Sequence, residues 1–361
     1  MAKNILDAVY GSLIAGAIGD AMGAPTEGML YTEIRKKYGK IETLLPHSVY
    51  YTKGQPGNFT DDTTLRHYLC YTIVQKGGRI TPDDFARVFI DKVNTDRLWA
   101  NELIVRERIR WGINPWEAGL GAIPAGCGPM YIAPIGLINA GDPAQAYQDA
   151  FNIASVNQLG ENRDFAAAFA AAVATAFQPG ATVATVTAAM STYGPDLVRR
   201  AMTLTMDLAA ASRNVEEFTV RFYDKMLDWT WPLPPGSWRK EKYFSGHSRE
   251  FVPVVFALLH YHGDDANRAI IEGANFGRDC DTIASLVGNI VGALHGASAL
   301  RGEWIDTVEK ANADLYEELE GDPGADIHSM AVRMVEALRA TRSAYAARLK
   351  DLDRILGDDV V

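Results

Sequence analysis

Apolar residues recur along this chain at helical rather than strand spacing. After Asp62 they fall at Leu65, Tyr68, Leu69 and Ile73, with the small Thr72 on the same face. After Thr282 the same period gives Ile283, Leu286, Val287, Ile290, Val291 and Leu294. A first helix is predicted over about residues 5–19, with the small residues Ala8, Ser12 and Gly16 spaced four apart. Gly288, Gly292 and Gly296 form a matching row. Rows of small residues let helix backbones approach closely, so these two helices are expected to be central neighbours. The Ala-rich stretch 165–177 reads as a further helix, ended by Gln178, Pro179 and Gly180. Pro and Gly cluster at residues 124–134 and 232–236, which read as long loops. Alternating β-branched runs are scarce, so the expected fold class is all-α.

From Ala325 to about Leu356 one amphipathic helix displays Ile327, Met330, Met334, Leu338, Tyr345, Leu349 and Leu352. It is expected to pack on the body or on another subunit. The predicted organisation is a single helical domain over residues 1–320, with the helix of residues 325–356 appended to it.

Composition narrows the class. The chain has 361 residues, 48% hydrophobic and 22% charged, enough for a large globular core. A net charge of -10 repels phosphate backbones and anionic lipid, so neither nucleic acid nor a membrane surface is an expected partner. The three cysteines, Cys70, Cys127 and Cys280, are widely spaced and form no CxxC pair. That suits a reducing compartment and argues against disulfides or zinc. With no signal-peptide pattern at the N-terminus, a cytoplasmic protein is expected. Residues 283–300 carry no Asp, Glu, Lys or Arg, and about 18 apolar residues would be a membrane-span candidate. Ser285, Asn289, His295, Ser298 and three glycines interrupt the run, so a buried central helix fits better.

The residues that carry chemistry stand where two helices begin: Asn58-Phe59-Thr60-Asp61-Asp62-Thr63, and Asn275-Phe276-Gly277-Arg278-Asp279-Cys280-Asp281-Thr282. Either cluster alone reads as ordinary capping, since Thr and Asp favour N-caps and acids suit a first turn. Thr81-Pro82-Asp83-Asp84 opens another helix with similar letters and serves as an internal control. The pair reads differently. Both clusters precede helices of buried character, which puts four carboxylates at the mouth of the core. Carboxylates with adjacent Thr hydroxyls suit hard cations such as Mg2+ or Mn2+ rather than zinc. The seven histidines are scattered and form no competing motif.

These motifs, taken in order, resemble the ADP-ribosylglycohydrolase family, which includes the dinitrogenase-reductase-activating glycohydrolases and the J1 crystallins. The resemblance rests on Gly11-Ser-Leu-Ile-Ala-Gly-Ala-Ile-Gly-Asp20-Ala-Met-Gly23-Ala-Pro-Thr-Glu27, on Phe59-Thr60-Asp61-Asp62-Thr63, and on Gly277-Arg278-Asp279-Cys280-Asp281-Thr282. A weaker match is Gly126-Cys127-Gly128-Pro129-Met130 with Ala133-Pro134-Ile135-Gly136. The family implies an orthogonal multi-helix bundle with two Mg2+ ions, Mn2+ being the alternative. It implies Thr60, Asp61, Asp62, Asp279, Asp281 and Thr282 as metal ligands, and Glu27 as a carboxylate beside the metals. Catalytic roles would then fall to Asp61, Asp62, Asp279 and Glu27, and substrate contacts to Gly126, Cys127, Gly128, Met130, Tyr131 and Arg278. A homo-oligomer through the C-terminal helix is a further expectation.

Departures from the family pattern cluster around the implied ligand cleft. Many members have Met-Arg where this chain has Met130-Tyr131, and Gly-Gly where it has Gly277-Arg278. A Thr-His signal is replaced by Ser155-Val156-Asn157-Gln158. The implied activity is hydrolysis of the C1' bond of an ADP-ribosylated substrate, either a small molecule or a modified side chain. Tyr131 and Arg278 keep open hydrolysis of a simpler nucleoside or nucleotide. A silent, crystallin-like protein is the third reading, opposed by six intact metal-site side chains. His247 reads as an incidental loop histidine. Trp229, Trp231 and Trp238 are candidates to stack an adenine, although packing under a long loop is their plainer task.

Overall fold

In the computed structural model, which describes residues 4–48, 54–225 and 246–356, the chain is all-α. Among the described residues seventeen helices occur and no strand. They are α1 (Ile5–Gly23), α2 (Tyr31–Tyr38), α3 (Asp61–Lys76), α4 (Pro82–Asp91), α5 (Ala100–Arg110) and α6 (Ala133–Ile138). There follow α7 (Pro143–Ala154), α8 (Glu161–Thr175), α9 (Val183–Tyr193), α10 (Asp196–Ala210), α11 (Val215–Lys225) and α12 (Ser248–His262). The chain continues through α13 (Ala266–Phe276), α14 (Cys280–His295), α15 (Gly302–Ala311), α16 (Ala313–Glu320) and α17 (Ile327–Leu356). The 232–236 loop and Trp229, Trp231 and Trp238 lie outside the described residues.

The centre of the bundle is the pair α1 and α14, which is buried almost throughout. They touch backbone to backbone. A Cβ on Gly292 would stand 2.0 Å from the Gly11 carbonyl oxygen, and one on Gly288 2.1 Å from that of Ala15. One on Gly19 would stand 2.1 Å from the Ala284 oxygen, and one on Gly23 2.4 Å from the Asp281 Cα. The contact row on α1 is therefore Gly11, Ala15, Gly19 and Gly23, one face over from the expected row of Ala8, Ser12 and Gly16. Ser12 and Asn289 exchange hydrogen bonds at 2.9 and 2.8 Å instead, and Gly16 leaves room for Asn289 and Arg66. Gly296 lies past the helix as its C-cap, at φ 84°.

α1 with its following turn, Ile5–Thr26, is long and apolar enough by composition to cross a membrane, at a mean hydropathy of 1.3. Here it is a core helix, enclosed by α13, α14, α15 and α17. α17 begins with Ile327, Met330, Ala331, Met334, Val335 and Ala337 buried against α1, α3 and α6. The Glu309 carboxylate caps this start, accepting the Ile327 and His328 amides at 3.1 and 3.2 Å. Further along, Tyr345, Leu349, Leu352, Ile355 and Leu356 are exposed.

Candidate metal centre

Two helix N-termini meet at one end of the α1–α14 pair. Thr60 is the N-cap of α3, and its hydroxyl accepts the Asp62 amide at 3.3 Å. Asp20 reaches across from α1: its two oxygens accept the Thr60 and Thr63 amides at 2.9 and 3.0 Å. Asp20 and Thr60 between them take the Thr63 and Asp62 amides of the first turn, so the Asp61 and Asp62 carboxylates are not what caps α3. Both are buried all the same.

The control helix behaves otherwise. Thr81 and Asp84 close a capping box at the start of α4, Lys76 pairs with Asp84 at 3.1 Å, and the Trp116 indole donates to Asp83 at 2.8 Å. Burial would raise the Asp84 carboxyl, but the Thr81 amide and hydroxyl and the Lys76 ammonium hold it below the usual carboxylate range. Similar letters here do purely structural work.

At the start of α14 the backbone is forced into an unusual turn. Gly277 and Arg278 both lie in the left-handed region, at φ 86° and 61°, and Arg278 is the one such non-glycine among the described residues. Such a residue costs on the order of 1 kcal/mol and persists when its surroundings over-determine it. Those surroundings are visible. The Arg278 amide donates to the Met29 oxygen at 2.6 Å, and the Gly28 amide donates to the Arg278 oxygen at 2.7 Å. The guanidinium is 3% exposed and donates to both oxygens of Glu250, from Nη2 to Oε2 at 2.9 Å and from Nε to Oε1.

This cross-brace carries Glu27 to the mouth of α14. Oxygens of Glu27, Asp279 and Asp281 come within 4.8 Å of one another. The Thr282 hydroxyl lies against both Asp62 and Asp279, and Asp61 feels the charges of Asp62 and Glu27. The structure thus brings Glu27, Thr60, Asp61, Asp62, Asp279, Asp281 and Thr282 together.

The donor set fits a hard divalent cation. Asp62 Oδ2 and Asp281 Oδ1 are buried with no hydrogen-bond partner, a costly state for carboxylate oxygens unless a cation answers them. Without one, burial and then the neighbouring carboxylates raise Asp61 and Asp281 well above their ordinary range, and burial followed by Asp20 and Asp279 does the same for Asp62. Burial, with Glu250 adding to it, pushes Asp279 from 3.8 to about 7. A raised folded value means that the metal-free fold binds more protons than the unfolded chain between those limits. Its stability is then fully present below pH 4 and is lost as pH rises through 7. The metal-free protein is expected to melt at a lower temperature at pH 7.5 than at pH 5, and millimolar Mg2+ or Mn2+ should restore the loss at pH 7.5. Melting curves unaffected by EDTA at both pH values would remove the case for bound metal.

The expected substrate contacts are placed less uniformly. Gly126 stands beside the cluster, where a Cβ would come 3.6 Å from Asp279 Oδ2. The Gly128 and Met130 amides both turn back onto the Gly126 oxygen, at 2.7 and 3.3 Å, rather than outward. Tyr131 is fully buried, its ring 5.7 Å from that of Phe85, and its hydroxyl accepts from Asn157 at 3.2 Å. Arg278 is engaged by Glu250, as described. His247 is a buried N-cap of α12 with Nε2 2.7 Å from Glu161 Oε1, not an isolated loop histidine.

Three buried residues escaped the sequence reading. Asp20 is a buried acid on the apolar α1. Arg66 lies beneath the cluster, donating to Thr63 Oγ1, Ser285 Oγ and Asn289 Oδ1 at 2.5, 2.7 and 3.2 Å. Glu102, on α5, is fully buried, and its charge raises Asp61. Only Asp20 had a local signal, its place inside the quoted glycine-rich motif.

The profile of the ADP-ribosylglycohydrolase family matches residues 1–344. The chain belongs to the ADP-ribosylglycohydrolase family. It is 26% identical over 331 residues to the uncharacterized protein YegU of Escherichia coli K12, covering 88% of this chain and 94% of YegU. A similar match, 26% over 307 residues, covers 84% of this chain and 91% of an uncharacterized protein of Archaeoglobus fulgidus. Among solved structures, an ADP-ribosylglycohydrolase-related protein complex superposes with a TM-score of 0.64 at 18% identity, over 93% of this chain and 99% of that one. The last likeness speaks for the fold alone, and it is the all-α bundle expected from the helical periodicity.

Proposed function

We propose that this family member is a metal-dependent glycohydrolase that cleaves the C1' bond of an ADP-ribosylated substrate and releases ADP-ribose. The observation that carries the reading is the convergence of two helix starts on buried carboxylate oxygens that lack any partner. Thr60, Asp61, Asp62, Asp279, Asp281 and Thr282 would hold two Mg2+ or Mn2+ ions, with Glu27 beside them. When bound, such ions supply Lewis acidity toward the ribose hydroxyls and the attacking water.

The chain's own groups do the rest. One of the four aspartates accepts the water's proton as oxocarbenium character builds at C1'. Asp20 holds the α3 start fixed, and Arg66 offsets part of the buried negative charge from below. Glu27, at the exposed edge, stands where substrate enters. The three buried free cysteines support a reducing, cytoplasmic setting. The exposed Tyr345–Leu356 stripe supports docking of α17 on a second subunit.

One observation favours a second reading. The guanidinium of Arg278 and the amides of Gly128 and Met130, all among the expected substrate-contact residues, already have partners inside the protein. A ribosyl hydrolase acting on a nucleoside or nucleotide needs fewer such contacts. A panel of ribosylated compounds assayed with Mg2+, Mn2+ and chelator decides between them. Metal-dependent ADP-ribose release, inhibited by free ADP-ribose, is expected. Replacing ribose by 2'-deoxyribose should slow turnover at least about 100-fold, roughly 3 kcal/mol, since the diol is gripped most tightly in the transition state. Turnover of simple ribosides with no ADP-ribose binding would install the second reading.

A further inference from the structure

From Arg342 to Leu356 every residue of α17 is exposed, so this half of the helix overhangs the body. Helices in water are held mostly by packing of an apolar face, and among the described residues nothing covers this one. Leu349, Leu352, Ile355 and Leu356 are 61%, 40%, 78% and 63% exposed. Tyr345, Leu349, Leu352 and Leu356 follow at spacings of four, three and four, the seam of a two-helix contact.

The seam continues the buried stripe of the same helix. Ala331, Leu338, Tyr345 and Leu352 stand seven residues apart, as do Val335, Arg342, Leu349 and Leu356. A straight helix drifts only about 20° per such step. The overhang therefore turns its apolar face to the side on which the body lies, just beyond the body's edge. At that edge a cavity of about 640 Å3 opens between the overhang and the α3–α4 turn, walled by Gly77, Gly78, Ala340, Ala344 and Ala347. Arg79 of the turn donates to the Tyr345 hydroxyl at 3.1 Å and fixes the base of the overhang. Large apolar side chains at the tip and a seat of small residues at the base are complementary shapes on one molecule. Self-complementarity of this kind closes in a two-fold pair.

We propose that two copies of this chain exchange their overhangs as an antiparallel pair, the Leu352–Leu356 tip of each filling the seat of the other. This rests on the reading of α17 as a subunit contact and fixes its partner, direction and register. Tyr345 packs against the partner's Leu356, and Leu349 against the partner's Leu352. Parallel pairing is blocked, because the partner's packed half would run through the body, where α1, α3 and α6 lie. Charge agrees with the antiparallel order. Arg342 and Arg348 stand in the first half of the overhang without an acid, and both acids, Asp351 and Asp353, stand in the second, so unlike ends meet.

The test uses the full-length, Mg2+-loaded protein. Sedimentation across micromolar concentrations should show a reversible dimer, and Leu349→Asp/Leu352→Asp should weaken association at least about tenfold. Both positions are exposed, so the double variant should stay folded and melt as the wild-type monomer does. Direction is read from single cysteines under mild oxidation. A mixture of Tyr345→Cys and Leu356→Cys proteins should link at least about tenfold faster than either variant alone, since only the antiparallel register brings these two positions together. Wild type, with its three cysteines buried, is the blank. A monomeric wild type, or a dimer untouched by Leu349→Asp/Leu352→Asp, overturns the subunit-contact reading and the proposal with it. A dimer lost in that variant, yet in which Tyr345→Cys links to itself as fast as to Leu356→Cys, overturns the exchange and leaves the subunit contact standing.

Discussion

Asp61→Asn and Asp281→Asn should each reduce turnover by more than about 100-fold, beyond the range seen when a supporting residue of a metal site is lost. Asparagine keeps the shape of aspartate and caps a helix nearly as well, so the fold is spared. What it removes is an anionic oxygen from a cluster in which Asp62 Oδ2 and Asp281 Oδ1 have no protein partner. Asp83→Asn and Asp84→Asn, at the start of α4, should leave turnover near wild type. Asp84→Asn weakens the Lys76 pair and is expected to cost about 0.5 kcal/mol of stability, the scale of an exposed ion pair. Steady-state rates and melting curves on all four variants make the comparison. Losses of activity at Asp83 and Asp84 equal to those at Asp61 and Asp281 would mean that capping, not chemistry, explains the acidic clusters.

The largest stability effect is expected at Gly292→Ala. The added methyl would stand 2.0 Å from the Gly11 carbonyl oxygen, and the three nearest atoms are all backbone of Gly11 and Ser12, so no side chain can swing away. Overpacking usually costs 1–3 kcal/mol, and a rigid contact of this kind belongs at about 3 kcal/mol or beyond. In a chain of this length that lowers the melting temperature by roughly 4 °C or more. Activity should fall as well, because sliding α14 off α1 separates Gly23 from Asp281. Gly302→Ala is the matched control: its Cβ would meet nothing within 4 Å, at the exposed start of α15. Thermal unfolding of the two variants settles the contrast, and a Gly292→Ala protein as stable as Gly302→Ala would refute the close packing.

Much of the frame was legible because it is written locally. Helical period marked α3 and α14, and their acidic starts stood out because apolar, buried helices follow them. The α1–α14 pairing was legible from small residues, but its register was not. Ser12 and Gly16 look like a contact row until Asn289 and Arg66 are seen to fill the space beside them. The direction of Arg278 was likewise hidden, since it depends on Glu250, 28 residues earlier in the chain. Glu102 gave no signal at all. In Ala100-Asn101-Glu102-Leu103 it reads as a first-turn acid on a solvated helix, and only tertiary packing buries it next to Asp61.

The cross-brace between Met29 and Arg278 joins the first tenth of the chain to its last quarter, and this has a bearing on biosynthesis. The acidic cluster has no complete version until Asp281 and Thr282 have been made and α14 has docked on α1. A nascent chain displaying Thr60-Asp61-Asp62 alone offers a cation only a fragment of the ligand set. Metal capture is therefore expected to follow closure of this long-range contact rather than to nucleate it. Refolding in Mg2+ should then slow unfolding while leaving the folding rate almost unchanged. A partly synthesised protein would also be spared from trapping the wrong ion, because the assembled site does not exist until α14 has docked on α1.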